Sequence, residues 1–478
     1  MHIGLDLGTS GLKALVIDRQ DHVLAEASAP LSVSRPHDGW SEQAPRDWIA
    51  AADSALAALA AEIGLDAVRS IGLSGQMHGA VCLDSAHEVL RPAILWNDTR
   101  AHLEAAALDA DPRFRAVTGN IVFPGFTAPK LMWMAAHEPD LRRRVALVLL
   151  PKDYLRLWLT GEAVSEMSDA AGTAWLDMGA RDWSDDLLAA CDLGRAQMPR
   201  LVEGSEVSGV LRPDLAARWG LPPGVVVAGG GGDNAASGVG VGVVAPGTAF
   251  ASLGTSGVLF AASARFSPDP ASAVHTFCHA LPGLWCQMGV ILAAADALNW
   301  HARVMGSDAA TLTGTLGPLR APGRALFLPY LGGERTPWND AGVRGAFLGL
   351  EHASDAAALT RAVIEGICHA FRDSLDALAA TGTRIDRLIG LGGGTRSDYW
   401  VEALATALGL PVELPVAGDF GGAFGAARLG RMAADGAGAE LATPPQIARV
   451  VEPDAALVPA FAEAHARYHA AYGKVREF

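Results

Sequence analysis

The chain of 478 residues reads as an α/β protein built from two similar domains that face one another. Three observations predict this. The length exceeds what one hydrophobic core usually organises. Short strand-like runs alternate with amphipathic helical patterns along the whole chain, which argues for α/β layers. The pentapeptide LGTSG occurs at residues 7–11 and again at 253–257, 246 residues apart and close to half the chain. Each copy lies between two strand-like segments, MHIGLD with LKALVI and GTAFAS with VLFAAS, so the same strand–turn–strand unit opens each half. The boundary falls near 243–246, giving expected domains 1–244 and 245–478.

In the first half, Ile3, Leu5 and Leu7 alternate, and Leu12, Ala14 and Val16 do so after the glycine-rich turn. Alanine-rich amphipathic spacing predicts a helix over 45–63, and a strand is expected over 70–73 before the turn GQMHG. Residues 225–228 are β-branched and strand-like, and four glycines follow them. In the second half, Leu359, Val363, Ile367, Phe371, Leu375 and Leu378 recur at helical spacing. A strand over 387–391 runs into three glycines, with a helix over 397–408 and a strand over 412–414 beyond them. A final helix over 420–433 is full of small residues, which permit close packing.

Composition narrows the function classes. With 37 Lys and Arg against 52 Asp and Glu the net charge is −15, and no basic run stands out. Such a chain is a poor ligand for nucleic acid or anionic membranes, and it needs local N–H-rich spots if it handles phosphates. Residues 235–264 carry no charge, but Pro246, many glycines and Ser/Thr pairs fit buried strands and turns better than a lipid-facing helix. Five cysteines with no CxxC pattern fit a reducing cytosol. The N-terminus lacks the basic and apolar regions of a signal peptide, so a cytoplasmic location is expected.

Several residue groups can carry chemistry. Glycines in the LGTSG turns let backbone N–H groups approach an anion, and the Thr and Ser hydroxyls add hydrogen bonds. Either turn alone reads as an ordinary hairpin, whereas the pair suggests a clamp on a polyphosphate. No GxxxxGK[ST] loop is present, which excludes a P-loop enzyme. Asp6 ends the strand before the first turn, where it can hold magnesium or simply cap the turn. Lys13 is either a phosphate contact or solvated. Asp233 follows Gly229–Gly232 at a helix start, where the helix dipole favours the carboxylate. It is either a structural N-cap or a proton acceptor for phosphoryl transfer, and four glycines are more than capping needs. Gly393 and Gly394 lie in a strand-to-helix turn that can admit a nucleotide. Gln76, Met77 and His78 form a candidate ligand-facing turn, although a structural histidine fits there too. Trp96 offers a stacking face with polar neighbours. His275, Cys278, His279 and Cys286 lie close together, but their spacing does not match a structural zinc pattern.

These segments also carry a resemblance. DLGTSGLKA, SGQMHGA, ILWNDTR, PKDYLRLWLTG, SDAAGTAWLD, GGDNAASGVGVG, SLGTSG, LPYLGGERTP and GGGTRSDYW are similar, in order and spacing, to the FGGY carbohydrate kinase family. FTAPKLMWM at 126–134 resembles a signature of that family, and QMHG with LPKDYLR resembles its xylulokinase branch. The similarity runs to about Leu429. It implies two actin-like (ribonuclease H-like) domains with an ATP/sugar cleft between them, the sugar mainly on 1–244 and ATP mainly on 245–478. It also implies ATP-dependent phosphorylation of D-xylulose, with Asp233 as general base and Asp6 for Mg2+ and phosphate. Met77, His78 and Asn234 match sugar contacts, with Gln76 and Trp96 beside them. Thr9, Ser10, Gly254 and Thr255 match the phosphate turns, and Gly393 and Gly394 the adenosine turn. One departure is the run of four glycines before Asp233, where fewer are expected. The expected partners are D-xylulose and ATP, with a homodimer admitted and nucleic acid and membrane excluded. The rivals are FGGY kinases of ribulose, gluconate, fuculose or glycerol, and an actin-fold ATPase without sugar chemistry.

Overall fold

In the computed structural model, which describes residues 1–416 and 420–478, two mixed sheets are built on one plan. The first sheet begins with the hairpin β1 (His2–Leu7) and β2 (Gly11–Ile17), extended by antiparallel β3 (Val23–Pro30). The helix α1 (Pro45–Glu62) returns the chain to β4 (Ser70–Gly75), which pairs parallel with β1. Proline at the first turn starts α1, and Trp48, Ala52, Leu56 and Leu59 on its buried stripe pack under the sheet. Helices α2 (Thr127–His137) and α3 (Pro151–Thr160) follow, then antiparallel β5 (Val207–Val210) and β6 (Val226–Ala228), with β6 parallel to β4. A two-residue strand β7 (Gly231–Gly232) resumes pairing with β4 and leads into α4 (Asp233–Gly240).

The second sheet repeats the plan. The hairpin β8 (Gly247–Leu253) and β9 (Gly257–Ser263) is extended by β11 (Trp285–Ile291), with β10 (His275–Cys278) beyond it. After the long helix α5 (Ala356–Ala380), β12 (Ile385–Leu391) pairs parallel with β8. Then come α6 (Asp398–Leu408), parallel β13 (Val412–Pro415), α7 (Gly422–Asp435) and antiparallel β14 (Ile447–Val451). The C-terminal helix is α8 (Val458–Val475). The sheet orders β5-β6-β4-β1-β2-β3 and β14-β13-β12-β8-β9-β11 correspond strand for strand, including direction. The LGTSG repeat is thus the visible trace of a duplicated sheet.

The small-residue helix α7 follows a strand of the second sheet but lies on the first. A Cβ at Gly4 or Gly72 would come within 1.8 Å or 1.7 Å of the α7 carbonyls of Ala423 and Ala426. The equivalent helix α4 crosses α7 as closely: a Cβ at Gly425 would sit 1.7 Å from the Ala236 carbonyl. Only glycine permits backbones to approach like this. The five cysteines are all buried and unbridged. Among the described residues, no helix is long and apolar enough to cross a membrane.

Candidate active site

The parallel strands β1, β4 and β7 end side by side. Asp6 and Gly231 both register with Ser74 of β4, one on each side, and Ser74 Oγ donates to Asp6 Oδ1 at 2.8 Å. Asp233 lies two residues past Gly231, as the first residue of α4. The N-cap is Gly232, and no side chain caps this helix. Asp233 Oδ1 instead accepts from Asn234 N at 2.7 Å and Asn234 Nδ2 at 2.9 Å. The capping reading therefore does not describe this aspartate. Burial, and secondarily the charge of Asp6, raise its pKa from 3.8 to about 6, against the two Asn234 hydrogen bonds that favour the charged form. A carboxylate with a pKa near 6 is suited to accept a proton at neutral pH.

The four glycines have a physical reason. Pairing with β4 runs from Val226↔Ser70 to Gly231↔Ser74, so five steps on one strand match four on the other. The additional residue is absorbed at Gly229–Gly230, where Gly230 takes φ +79° and a Cβ would lie 2.0 Å from the Leu73 carbonyl. Strand pairing is restored before Asp233.

Buried charge locks this glycine segment. Arg156 of α3 donates to the carbonyls of Ala228 and Gly229. Its neighbour Lys152 is wholly buried and lies 2.7 Å from Asp153, 3.0 Å from Asp169 and 3.4 Å from Glu166. Glu166 accepts from Ser168 N and Asp169 N, and Ser168 Oγ accepts from Gly232 N at 3.0 Å. Burial pushes both Glu166 and Asp169 up from the ordinary carboxylate range. The segments PKDYLR and SDAAG are thus the brace behind the Asp233 turn.

The turn at 76–79 faces the same strand ends. Met77 packs on Gly232, where a Cβ would come within 2.8 Å of its sulfur. His78 adopts φ +71°, and its Nδ1 donates to the Gly172 carbonyl at 2.8 Å. A carbonyl can only accept, so the proton is on Nδ1 and Nε2 is an acceptor. Burial lowers the His78 pKa to about 3, so the ring is neutral. It stacks on Phe126 at 4.8 Å and meets Phe277 of β10 edge-on. Lys130, inside the 126–134 segment, is fully buried and donates to the carbonyls of His78 at 2.8 Å and Gly125 at 2.7 Å. Burial lowers its pKa to about 7.

A relay ties this turn to the first LGTSG. Thr9 Oγ1 donates to Gln76 Oε1 and accepts from Trp96 Nε1, both at 3.0 Å. Gln43 Oε1 accepts from Gln76 Nε2, and Gln43 Nε2 donates to the Thr9 carbonyl at 2.7 Å. Trp96 keeps 48% of its surface exposed, whereas Asp98 is held in a buried ion pair with Arg100. Ser10 is exposed beside Thr9. In the second half, Gly254 and the exposed Thr255 accept backbone bonds from residues 294–296. Gly392 takes φ +89° against Leu253, which brings the Gly393–Gly394 turn beside Gly254. Lys13 pairs with Glu26 at 2.9 Å.

Sequence reasoning missed three contributors. Gln43 carries no motif, and its role depends on contacts with residues far away in the chain. Arg335 stands over the Phe123 ring at 3.8 Å and 3.4 Å from His275. Its neighbour Glu334 is buried, with burial raising it to about 8. Gly422 starts α7 so close to Asp6 that a Cβ would lie 2.8 Å from the Asp6 carboxyl carbon. The positive end of the α7 dipole therefore faces Asp6, and that of α4 begins at Asp233. These termini are the N–H-rich spots that an acidic phosphate-handling chain requires.

Models of the N-terminal and C-terminal domains of the FGGY family of carbohydrate kinases match residues 1–240 and 249–434, and the chain belongs to that family. The duplicated sheets are its actin-like, ribonuclease H-like domains. The chain is 50% identical to the xylulose kinase of Escherichia coli K12 over 438 residues, 91% of this chain and 90% of that protein. A crystal structure from Brucella ovis, described as a "xyloylose kinase", is 60% identical with a TM-score of 0.99, covering 100% of this chain and 99% of that one. The xylulose kinase structure from Rhodospirillum rubrum is 31% identical with a TM-score of 0.94, over 100% and 99%.

Proposed function

We propose that this enzyme transfers the γ-phosphoryl group of ATP to the 5-hydroxyl of D-xylulose, giving ADP and D-xylulose 5-phosphate. The observation that carries the reading is Asp233: a carboxylate raised to about 6, held by Asn234, across β4 from Asp6 and two residues past the strand that pairs beside Ser74. The high identity to xylulose kinases over nearly the whole chain supports the choice of sugar.

In this mechanism the hydroxyl oxygen forms the new P–O bond as the bond from the γ-phosphorus to the β-phosphate oxygen breaks, and the hydroxyl proton passes to Asp233. His78 Nε2, Gln76, Met77 and Asn234 hold and orient the sugar, with Trp96 covering one face. Thr9 and Ser10 on one side and Gly254 and Thr255 on the other bind the phosphates. Gly393 and Gly394 leave room for the adenosine. This division assigns sugar and base to 1–244 and ATP to 245–478. Closure of the two domains would exclude water and so limit ATP hydrolysis.

Magnesium fits the residues present. Mg2+ is usually bound by one or two carboxylates together with substrate phosphates, and Asp6, beside Ser74 and close enough to raise Asp233, provides such a carboxylate. When bound, the ion would neutralise charge on the transferring phosphoryl group. ADP release measured across a sugar panel with Mg-ATP tests the assignment. It should be fastest with D-xylulose, and a clear preference for ribulose, gluconate or glycerol would refute the substrate while leaving the fold intact.

A further inference from the structure

The chain beyond residue 434 lies outside the family models, yet it ends in a well-packed helix. Phe461, Tyr468, Ala471 and Tyr472 of α8 are buried in the core of the second half. On α8, His465 and His469 are four residues apart and so share one face. They meet Asp373 of α5: His465 Nε2 lies 2.9 Å and His469 Nδ1 2.7 Å from Asp373 Oδ1. Among the described residues this is the one group of three or more His, Cys, Asp or Glu whose ligand atoms all converge within 4.8 Å.

Hydrogen bonding within the trio leaves polar atoms over. The Asp373 side chain is 2% exposed and its Oδ2 has no hydrogen-bond partner. One turn away on α5, His369 is 1% exposed, and neither of its ring nitrogens has a partner. Its ring centre is 5.8 Å from that of His465. An apolar helix contact would not place four polar side chains, two from each helix, at one crossing, since every unsatisfied buried group costs about 1–3 kcal/mol. His469 is half exposed, so an ion can arrive from solvent.

We propose that Asp373, His465 and His469 bind a divalent transition-metal ion, Zn2+ above all, which pins the C-terminal helix α8 to α5. Two imidazoles and a carboxylate suit zinc and its neighbours, whereas Mg2+ and Ca2+ prefer oxygen alone. Zinc bonds of about 2.0–2.2 Å in a tetrahedron separate ligand atoms by roughly 3.3 Å. The two imidazole nitrogens, at 2.9 Å and 2.7 Å from Asp373 Oδ1, must therefore each draw back from it by about half an ångström. The fourth position goes to water. This site is structural and separate from the Asp6 magnesium position.

The test uses the full chain, stripped with a chelator, returned to Mg2+ buffer and titrated with Zn2+. The proposal expects one Zn2+ per chain by equilibrium dialysis and elemental analysis, a raised Tm, and Co2+ d–d absorption typical of a low-symmetry site. Binding should weaken at least about tenfold in His469→Gln, since even the loss of an outer partner costs 10–100-fold. Phosphoryl transfer under saturating Mg-ATP should stay within about twofold in that variant. His465→Gln should behave alike, and His469→Gln keeps the test open if the more buried change impairs folding. Failure of the wild type to retain Zn2+, or equal retention and equal Tm shift in His469→Gln, would overturn the proposal and leave the trio as a hydrogen-bonded cluster.

Discussion

Asp6 and Asp233 stand at the ends of strands that flank β4 on opposite sides, and the charge of Asp6 is, after burial, the second cause that raises Asp233 to about 6. Asp6 accepts from the Ser74 hydroxyl and lies against the start of α7, while Asp233 begins α4 with its pKa raised by burial, poised to take a proton.

This pairing predicts a titration. In metal-free enzyme carrying 13C-labelled aspartate, one carboxyl should titrate near pH 6, and its signal should be missing from Asp233→Asn. Removing the negative neighbour favours the carboxylate form, so Asp6→Asn should move that pKa down toward 3.8. An unchanged value in Asp6→Asn would show that the two charges do not interact.

The neutral His78 ring offers Nε2 to a hydroxyl, so His78→Ala should raise the KM for the sugar far more than the KM for ATP. Equal changes in both constants would mark His78 as a folding residue only.

Lys130 positions that turn from behind, through the carbonyls of His78 and Gly125. Lys130→Met removes the donor from two carbonyls, of which His78 keeps Thr127 Oγ1 at 3.1 Å, so the loss is about 1–3 kcal/mol for the Gly125 carbonyl left unsatisfied. Thermal or urea unfolding should show a loss of this size, together with a raised sugar KM. A variant with wild-type stability would mean that water replaces the ammonium without cost.

Glycines in the two candidate turns should behave differently. Gly230→Ala places a Cβ at positive φ and 2.0 Å from the Leu73 carbonyl, so it should destabilise the fold by more than the usual 1 kcal/mol scale of a glycine replacement. Gly393→Ala meets no atom within 4 Å, so its Tm should be unchanged and its effect confined to the KM for ATP. Loss of Tm in Gly393→Ala, or an effect on the sugar KM alone, would remove this glycine from the nucleotide site.

Much of this was legible in the sequence wherever the information is local. Alternation at Ile3, Leu5 and Leu7, proline at the start of α1 and the repeated LGTSG each act over a few residues, and the corresponding strands, helix and turns form where they are expected. What was not legible depends on contacts between distant segments. Nothing near Gln43 shows that its amide joins Thr9 to Gln76, and nothing in α7 shows that it lies on the first sheet and begins at Asp6. The small residues of α7 predict close packing but not the surface it packs on. The same holds for Lys152, whose partners Glu166 and Asp169 come from the next segment of chain.

The central claim is that Asp233 takes the proton from the sugar hydroxyl, and the single-turnover rate of phosphoryl transfer in Asp233→Asn tests it most directly. General-base catalysis is worth about 10²–10⁴-fold, or roughly 3–5 kcal/mol of barrier. The rate should therefore fall by at least about two decades, while D-xylulose still binds. Because the folded-state pKa is raised, Asp233 opposes folding increasingly as pH rises from 3.8 through about 6, so the neutral isostere should not lower Tm at pH 7.5. A folded Asp233→Asn enzyme whose transfer rate stays within a few-fold of wild type would contradict the account.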